Sequence, residues 1–269
     1  MKPVSKTAYY CCGVRMLDAD AKRPLVGDNY AKLLMGKEGM EYWQEFKGFK
    51  MPNASNIARH FIIDTEVKRL VVQEPNSTVI VIGAGFDSRA FRLPGSTWVE
   101  IDEPAIINYK NEMLPVDGCK NKLQRIAIDF EKEQLSEKLT PYAGKKNIII
   151  ILEGVLMYLD ADAKENLLNT LTGLFPQHTL FCDIMSKYFF DKLGGKLHSH
   201  FARHGSTFKD LREVPEQLFL EHGYTKTNMV STIKKASDAG ILPIPKFLVT
   251  LLLKRFFMGY AVYHFTYHS

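Results

Sequence analysis

The sequence predicts an α/β fold in which a mostly parallel β-sheet is covered by helices on both faces. Apolar, strand-like runs alternate with helical segments between residues 78 and 183, which is typical of repeated β-α units. The first run, residues 79–82, leads into Gly83-Ala84-Gly85, where missing Cβ atoms let the backbone approach a ligand. A length of 269 residues with an apolar share of 46% suits one domain with a sizeable core.

The N-terminal part predicts a helical cap over residues 1–50, because aromatic and charged residues recur there at helical spacing. An amphipathic helix over 54–74 then leads into the strand at 78–82. Three further strands follow, each closed by an acid. They are predicted over 97–101 before Asp102, 123–128 before Asp129 and 147–152 before Glu153. Pro104 opens a helix over about 104–113, where proline is favoured in the first turn.

The rest of the chain continues this alternation with one interruption. Helices are predicted over 131–139 and 161–175, and a fifth strand over 179–183. Residues 187–212, with Gly194-Gly195 and several histidines, predict a lid inserted over the site. A helix at 214–222, a strand at 224–231, a helix at 245–258 and a strand at 260–265 complete the chain. We therefore divide one domain into a cap (1–50), a ligand-binding core (54–186), a lid (187–212) and a C-terminal part of the sheet (213–269).

Composition excludes several classes of function. The formal charge of +5 is carried by scattered basic residues, so we expect no nucleic-acid partner. The four cysteines have no C-x-x-C spacing, which predicts reduced thiols, no metal site and a cytoplasmic protein. No convincing signal peptide precedes the cap. The most apolar segment, residues 247–253, is too short to span a bilayer, so no membrane association is expected.

The glycine turn favours S-adenosylmethionine over a dinucleotide. A dinucleotide fingerprint needs a third glycine where this chain has Ser88. Asp87 would also repel a pyrophosphate, whereas its carboxylate suits a cofactor that carries a sulfonium and an ammonium. An NAD-dependent oxidoreductase therefore remains only an alternative.

Four acids follow the predicted strands: Asp87, Asp102, Asp129 and Glu153. The carboxyl ends of parallel strands share one edge of a sheet, so these side chains are expected to converge on one crevice. The alternative is that they cap the following helices. Asp102 lies about 20 residues beyond the turn, where an acid can bind ribose hydroxyls in either cofactor.

Several segments together resemble the leucine carboxyl methyltransferase family, which includes protein phosphatase carboxyl methyltransferases and tetracenomycin-type polyketide O-methyltransferases. Residues 79–93 are similar to the family's glycine signature. The further matches are Arg59 with Asp64, Glu100-Ile-Asp102-Glu-Pro104, Glu153-Gly-Val-Leu-Met-Tyr158 and Asp28-Asn29-Tyr30-Ala31, in which Asn29 replaces a proline. The resemblance spans about residues 7–160. It implies a Rossmann-like seven-stranded methyltransferase sheet with a reversed last strand.

The resemblance also implies roles for individual residues. Arg59 would hold the carboxylate of S-adenosylmethionine, Asp102 its ribose, and Asp129 with Phe130 its adenine. Glu153 would accept the ammonium group or lie by the sulfonium. The full set of expected cofactor-binding residues is Arg59, Gly83, Ala84, Gly85, Asp87, Asp102, Glu103, Asp129, Phe130, Glu153 and Gly154. Replacing Arg59 or Asp102 by alanine is expected to weaken donor binding and leave the fold intact.

These observations predict an S-adenosylmethionine-dependent O-methyltransferase that acts on a carboxylate or hydroxyl of a small, polyketide-like molecule. A protein C-terminal leucine carboxyl methyltransferase acting on a phosphatase is the alternative within the family. A non-catalytic module that keeps only the cofactor crevice is a third possibility. His198, His200 and His204 are candidate bases in the predicted lid, but structural roles are expected for them, so the catalytic residue is unknown.

Overall fold

The computed structural model describes residues 3–253 and 256–269, and within them one mixed sheet is flanked by helices. Its strands are β1 (Thr78–Ile82), β2 (Thr97–Asp102), β3 (Lys122–Ala127), β4 (Ile148–Leu152), β5 (Gln177–Met185), β6 (Thr225–Ser231) and β7 (Tyr260–His268). The order across the sheet is β3-β2-β1-β4-β5-β7-β6. The first five strands are parallel, and β7 runs antiparallel between β5 and β6. The predicted seven-stranded sheet with a reversed last strand is confirmed.

Helices pack on both faces of this sheet. They are α1 (Pro3–Ala19), α2 (Ala31–Trp43), α3 (Lys50–Gln73), α4 (Arg89–Arg92), α5 (Pro104–Met113), α6 (Leu135–Leu139), α7 (Ala161–Leu174), α8 (Lys187–Phe189), α9 (Gly195–Arg203), α10 (Gln217–Glu221), α11 (Thr232–Asp238) and α12 (Lys246–Leu253). A π-helical turn over Phe190–Gly194 joins α8 to α9. No helix among these described residues is long and apolar enough to cross a bilayer.

Most predicted elements occur with boundaries shifted by a few residues, and three helices differ more. The helix predicted over 131–139 is confined to Leu135–Leu139, because Asp129 accepts backbone N–H groups and holds a turn before it. The helix predicted over 214–222 spans only Gln217–Glu221. Helix α11 was not predicted, although the Ser231 hydroxyl caps it by accepting from the backbone N–H of Lys234. The predicted helix over 245–258 includes residues 254–255, which lie outside the described residues.

The core is divided by the sheet into two layers, because successive strand side chains point to opposite faces. Ile80, Val99 and Ile150 face one layer, where α6, α7 and α10 cover the sheet. Val79 and Val81 face the other layer with α3. Both faces of the central strands are therefore buried, which explains their unbroken apolar runs.

A third apolar cluster is formed by the cap rather than by the sheet. Aromatic side chains of α1 and α2 pack with Phe86 of the glycine turn and with Phe201 of α9. The cap is also tied down by Arg15, which donates to the Phe86 carbonyl at 2.5 Å and to Asp28 Oδ2 at 2.8 Å. This arrangement places α1 over the carboxyl end of β1.

Candidate active site

The glycine turn after β1 is fixed by backbone geometry that requires glycine. Gly83 has φ +68° and Gly85 has φ +47°, in the left-handed region that favours glycine. A Cβ atom on Gly83 would lie 2.5 Å from Val155 Cγ2, and one on Gly85 would lie 3.3 Å from Ala8 Cβ in α1. The N–H groups of Gly83 and Ala84 donate to the Ile101 carbonyl of β2. The turn is thus held tightly between β2, the segment after β4 and the cap.

Asp102, at the end of β2, forms a hydrogen bond with this turn. Its Oδ2 accepts from the Gly85 N–H at 2.6 Å, and its Oδ1 accepts from the N–H of Glu103 at 2.7 Å. Burial raises the pKa of Asp102 to about 6, although these two backbone donors and Lys110 oppose the rise. Each carboxylate oxygen keeps further lone-pair capacity for a ligand hydroxyl. Glu103 is the N-cap residue of α5, directly beside this carboxylate.

Arg59 lies deep in the site and not on the helix surface. Its side chain is 4% exposed. Its Nε donates to Glu153 Oε1 at 3.0 Å, and its Nη1 donates to Asp183 Oδ2 at 3.1 Å and to the Tyr260 hydroxyl at 2.8 Å. Substitution by alanine would leave two buried carboxylates without this cation, so the expectation that the fold would stay intact needs revision.

A second buried arginine, Arg89, forms an ion pair with Asp87. The Arg89 guanidinium pairs with Asp87, with Asp64 Oδ1 at 2.5 Å and with Glu153 Oε2 at 2.6 Å. Arg89 holds the pKa of Asp87 at about 2, although burial alone would raise it. The expectation that Asp87 binds a cationic cofactor stays a prediction, and the structure shows that its charge is paired with Arg89.

Glu153 joins the two arginines. Burial would raise its pKa, but Arg89, His60 and Arg59 hold it well below the ordinary value. It is followed by Gly154, which has φ +70° and whose N–H donates to Asp183 Oδ1 at 2.6 Å. Glu153 is thus an ionised carboxylate that stabilises the arginines of the site.

Sequence reasoning missed His60, Arg89, Asp183 and Tyr260 as members of this buried network. Arg89 lies inside the glycine signature, and Asp183 follows the pattern of an acid near the end of a parallel strand, so both had a readable signal. His60 and Tyr260 had no such signal in the sequence.

The expected adenine residues lie at the edge of the site. Asp129 follows β3, pairs with Lys132 at 3.0 Å and accepts from the Glu131 N–H. Phe130 is 43% exposed. The N–H of Ile128 donates to the Asp102 carbonyl at 3.0 Å, so this segment adjoins the end of β2 without entering the buried network.

The three histidines of residues 187–212 have structural partners. His198 Nε2 accepts from the Phe208 N–H at 3.0 Å. The ring of His200 packs edge-on against Phe49, and His204 Nε2 lies 3.1 Å from Glu45 Oε1. None of these contacts marks a catalytic base. Across the described residues, no group of histidine, cysteine and acidic side chains could hold a metal ion, and all four cysteines are free.

The fold is shared with solved methyltransferase structures. A candidate methyltransferase from Thermobifida fusca superposes with a TM-score of 0.59 at 16% identity, covering 95% of this chain and 94% of that one. A DUF574 family protein from Streptomyces avermitilis gives a TM-score of 0.58 at 13% identity, covering 88% and 95%. At these identities the likeness shows the fold alone, which is a Rossmann-like methyltransferase fold.

Sequence comparison identifies the family. Residues 8–172 match the family model described as leucine carboxyl methyltransferase, and the chain belongs to that family. Candidate S-adenosyl-L-methionine-dependent methyltransferases from Mycobacteroides abscessus and Mycobacterium tuberculosis are each 28% identical over 190 residues. The matches cover 64% of this chain and 63% or 62% of those relatives. S-adenosylmethionine is thus the cofactor of the class to which the chain belongs.

Proposed function

We propose that this protein transfers the methyl group of S-adenosylmethionine to a carboxylate or hydroxyl oxygen of a small, polyketide-like molecule. One observation carries the proposal. The glycine turn, Asp102 and Arg59 come together at the carboxyl ends of β1, β2 and β4, where α/β folds bind their ligands.

The residues at this edge fit the donor group by group. Gly83 to Gly85 give the backbone close access, and Asp102 has lone pairs for ribose hydroxyls. Within the described residues, the hydrogen bond of Arg59 Nη2 goes to the Cys11 thiol, a weak acceptor, so this nitrogen can pair with a carboxylate. Phe130 offers an exposed ring beside the end of β2 for the adenine.

Methyl transfer breaks the carbon–sulfur bond as the carbon–oxygen bond forms, and the positive charge on sulfur is lost. The protein then contributes alignment and a site closed to water. A carboxylate acceptor is already ionised and needs no base. A hydroxyl acceptor would gain from one.

We place the acceptor on the side of residues 187–212, which we propose act as the lid. The N–H of Lys209 donates to the Met157 carbonyl at 2.8 Å, and the ring of Phe208 lies 5.2 Å from that of Tyr158. This segment therefore rests on the loop that follows Glu153. The aromatic lining suits an apolar, planar acceptor.

Cofactor binding is the first test. Calorimetric titration with S-adenosylhomocysteine, with NAD and NADP in parallel, should give a micromolar or tighter Kd for S-adenosylhomocysteine alone. Binding of a dinucleotide instead would overturn the proposed methyl transfer and favour the oxidoreductase alternative. Failure of all three to bind would sink the proposed activity.

Acceptor class is the second test. The family description favours a carboxylate, so a protein C-terminal leucine carboxylate is the second candidate. Transfer of a labelled methyl group to small-molecule acids and phenols should be compared with transfer to a leucine-terminated peptide and its C-terminal amide. Alkali releases methanol from methyl esters but not from methyl ethers. Labelling of the free-acid peptide, but not of the small molecules or the amide, would favour the protein substrate.

A further inference from the structure

Helix α12 has one apolar face buried in the protein and another exposed to water. Val249 and Leu253, four residues apart, are buried in an apolar cluster with residues of α8 and α11. Phe247 and Leu251 have the same spacing on the opposite face of the helix, and they are 71% and 75% exposed. Met258, five residues beyond the end of α12, is 61% exposed. We call Phe247, Leu251 and Met258 the α12 surface.

The α12 surface concentrates the exposed apolar side chains of the molecule. Its members are three of the four most exposed large apolar side chains among the described residues, and Val72, near the end of α3, is the fourth. Single exposed apolar residues are normal on a protein, whereas a group of them indicates an interaction site. The three members of the α12 surface fall within residues 247–258, so they form such a group.

The charges of this part of the chain are all positive. Residues 239–269 contain no aspartate or glutamate, and their formal charges are those of Lys246, Lys254 and Arg255. Lys254 and Arg255 lie outside the described residues. Lys246 is exposed beside Phe247, and its Nζ donates to a neutral group, the backbone carbonyl of Asp238, at 2.9 Å. The side chain of Asp238 already pairs with a lysine of α11 at 2.7 Å. The partner of this surface is therefore expected to be both apolar and anionic.

We propose that the α12 surface binds the face of a lipid bilayer that contains anionic lipids. Phe247, Leu251 and Met258 enter the boundary between headgroups and acyl chains, and the neighbouring basic side chains contact the lipid phosphates. A helix with an aromatic and aliphatic face and basic flanks binds in the plane of the bilayer in this way. The contact is peripheral, since no helix among the described residues is long and apolar enough to cross a bilayer.

This inference differs from the sequence-based expectation of no membrane association, because that expectation rested on a segment too short to span a bilayer. Binding at the surface needs only an exposed apolar face and complementary charge. It does not depend on the proposed methyl transfer. The cluster beneath α12 also includes Met157, with Tyr158 and Phe208 packed against it, so the contact would hold the proposed lid near the lipid.

Vesicle binding of the 269-residue chain is the first test. Sedimentation with vesicles of phosphatidylcholine alone should be compared with vesicles that also contain about 30% phosphatidylglycerol. We expect binding to the anionic vesicles that is at least about tenfold tighter than to the neutral ones. The binding should weaken as salt rises from about 0.1 M to about 1 M, because the Debye length falls from about 10 Å to about 3 Å. No binding, or equal binding to both kinds of vesicle, would overturn the proposal.

Variants locate the contact. Phe247→Glu and Leu251→Glu should each weaken binding to the anionic vesicles at least about tenfold, because each removes apolar area and adds a negative charge. Both positions are exposed, so Tm should not change. Val72→Glu is the matched control: Val72 is 62% exposed and lies near the end of α3, whereas α11 packs against Ala54 and Ala58 near its start. An equal loss of binding in Val72→Glu would show that net charge alone is responsible and would refute the proposed surface.

A second copy of the chain is the competing occupant of this surface. Sedimentation velocity without lipid should give the same mass for the wild type and for Phe247→Glu. A wild-type dimer that Phe247→Glu dissociates, together with no vesicle binding, would assign the surface to contact between copies and contradict the lipid proposal. Calorimetry with S-adenosylhomocysteine should give the same Kd for the wild type and Phe247→Glu, so this test and that of the proposed function have separate outcomes.

Discussion

Asp102 carries a charge that depends on its surroundings. In the proposed donor site its carboxylate accepts hydrogen bonds from ribose hydroxyls, and it accepts them best when ionised, whereas burial raises its pKa to about 6. We predict that S-adenosylhomocysteine affinity falls as pH drops from about 8 to about 5, with a midpoint near the raised pKa. Calorimetry across this range checks it. Asp102→Asn should bind weakly with little pH dependence, and a wild-type Kd that stays constant would contradict this role for Asp102.

The raised pKa of Asp102 also makes the stability of the fold depend on pH. Because the folded state holds the proton more tightly than the unfolded chain, this group contributes stability below its ordinary pKa of 3.8, and the contribution is lost as pH rises through about 6. Binding and stability should therefore respond to Asp102 in opposite directions between these values.

Arg59 should be essential to the fold as well as to donor binding. We predict that Arg59→Ala lowers the free energy of unfolding by about 3–5 kcal/mol, because Glu153 and Asp183 lose this cation while buried. Urea unfolding measures the change. The exposed Arg69, which pairs with Glu66 on the outer face of α3, is the matched control, and Arg69→Ala should cost less than about 1 kcal/mol. Equal effects at the two positions would contradict the buried network.

At the scale of elements, the turn after β1 tolerates only glycine at its first position. Gly83→Ala should destabilise the fold by more than about 2 kcal/mol, because alanine is strained at φ +68° and its Cβ would meet Val155. Gly173 in α7 is the control: a Cβ there meets nothing within 4 Å, so Gly173→Ala should stabilise by about 0.5–1 kcal/mol. Opposite shifts in the urea midpoint are the expected result, and two shifts of the same sign would refute it.

Element prediction worked where a pattern was local. The unbroken apolar run of β4 and the proline at the start of α5 fixed both elements to within a residue. The predicted boundaries are less accurate where tertiary contacts determine the ends of a strand. Strand β5 extends to Met185, beyond the predicted end, because β7 pairs along its whole length from Gln177 to Met185.

At the scale of the whole molecule, the cap covers the donor site. Ala8 lies against Gly85, and Arg15 bonds the Phe86 carbonyl, so α1 must shift for a nucleoside to reach the turn. We predict that bound S-adenosylhomocysteine slows amide exchange in α1, by up to about hundredfold at a concentration of about 100 times Kd. Exchange in α7, on the far side of the sheet, should change little. Unchanged exchange in α1 would show that the cap does not move for the donor.

The sequence by itself determined the order of the seven strands along the chain, the glycine turn and the position of Asp102 after β2. These depend on apolar periodicity and on the missing Cβ atoms of glycine, which are local properties of the chain.

Only the tertiary structure decided how the charges are paired. Arg59 contacts Asp183 across 124 positions and Tyr260 across 201 positions, and no local pattern specifies such partners. The physical reason is burial: a charge removed from water must find an opposite charge or a hydrogen bond. That requirement paired Asp87 with Arg89 and placed Arg59 inside the protein.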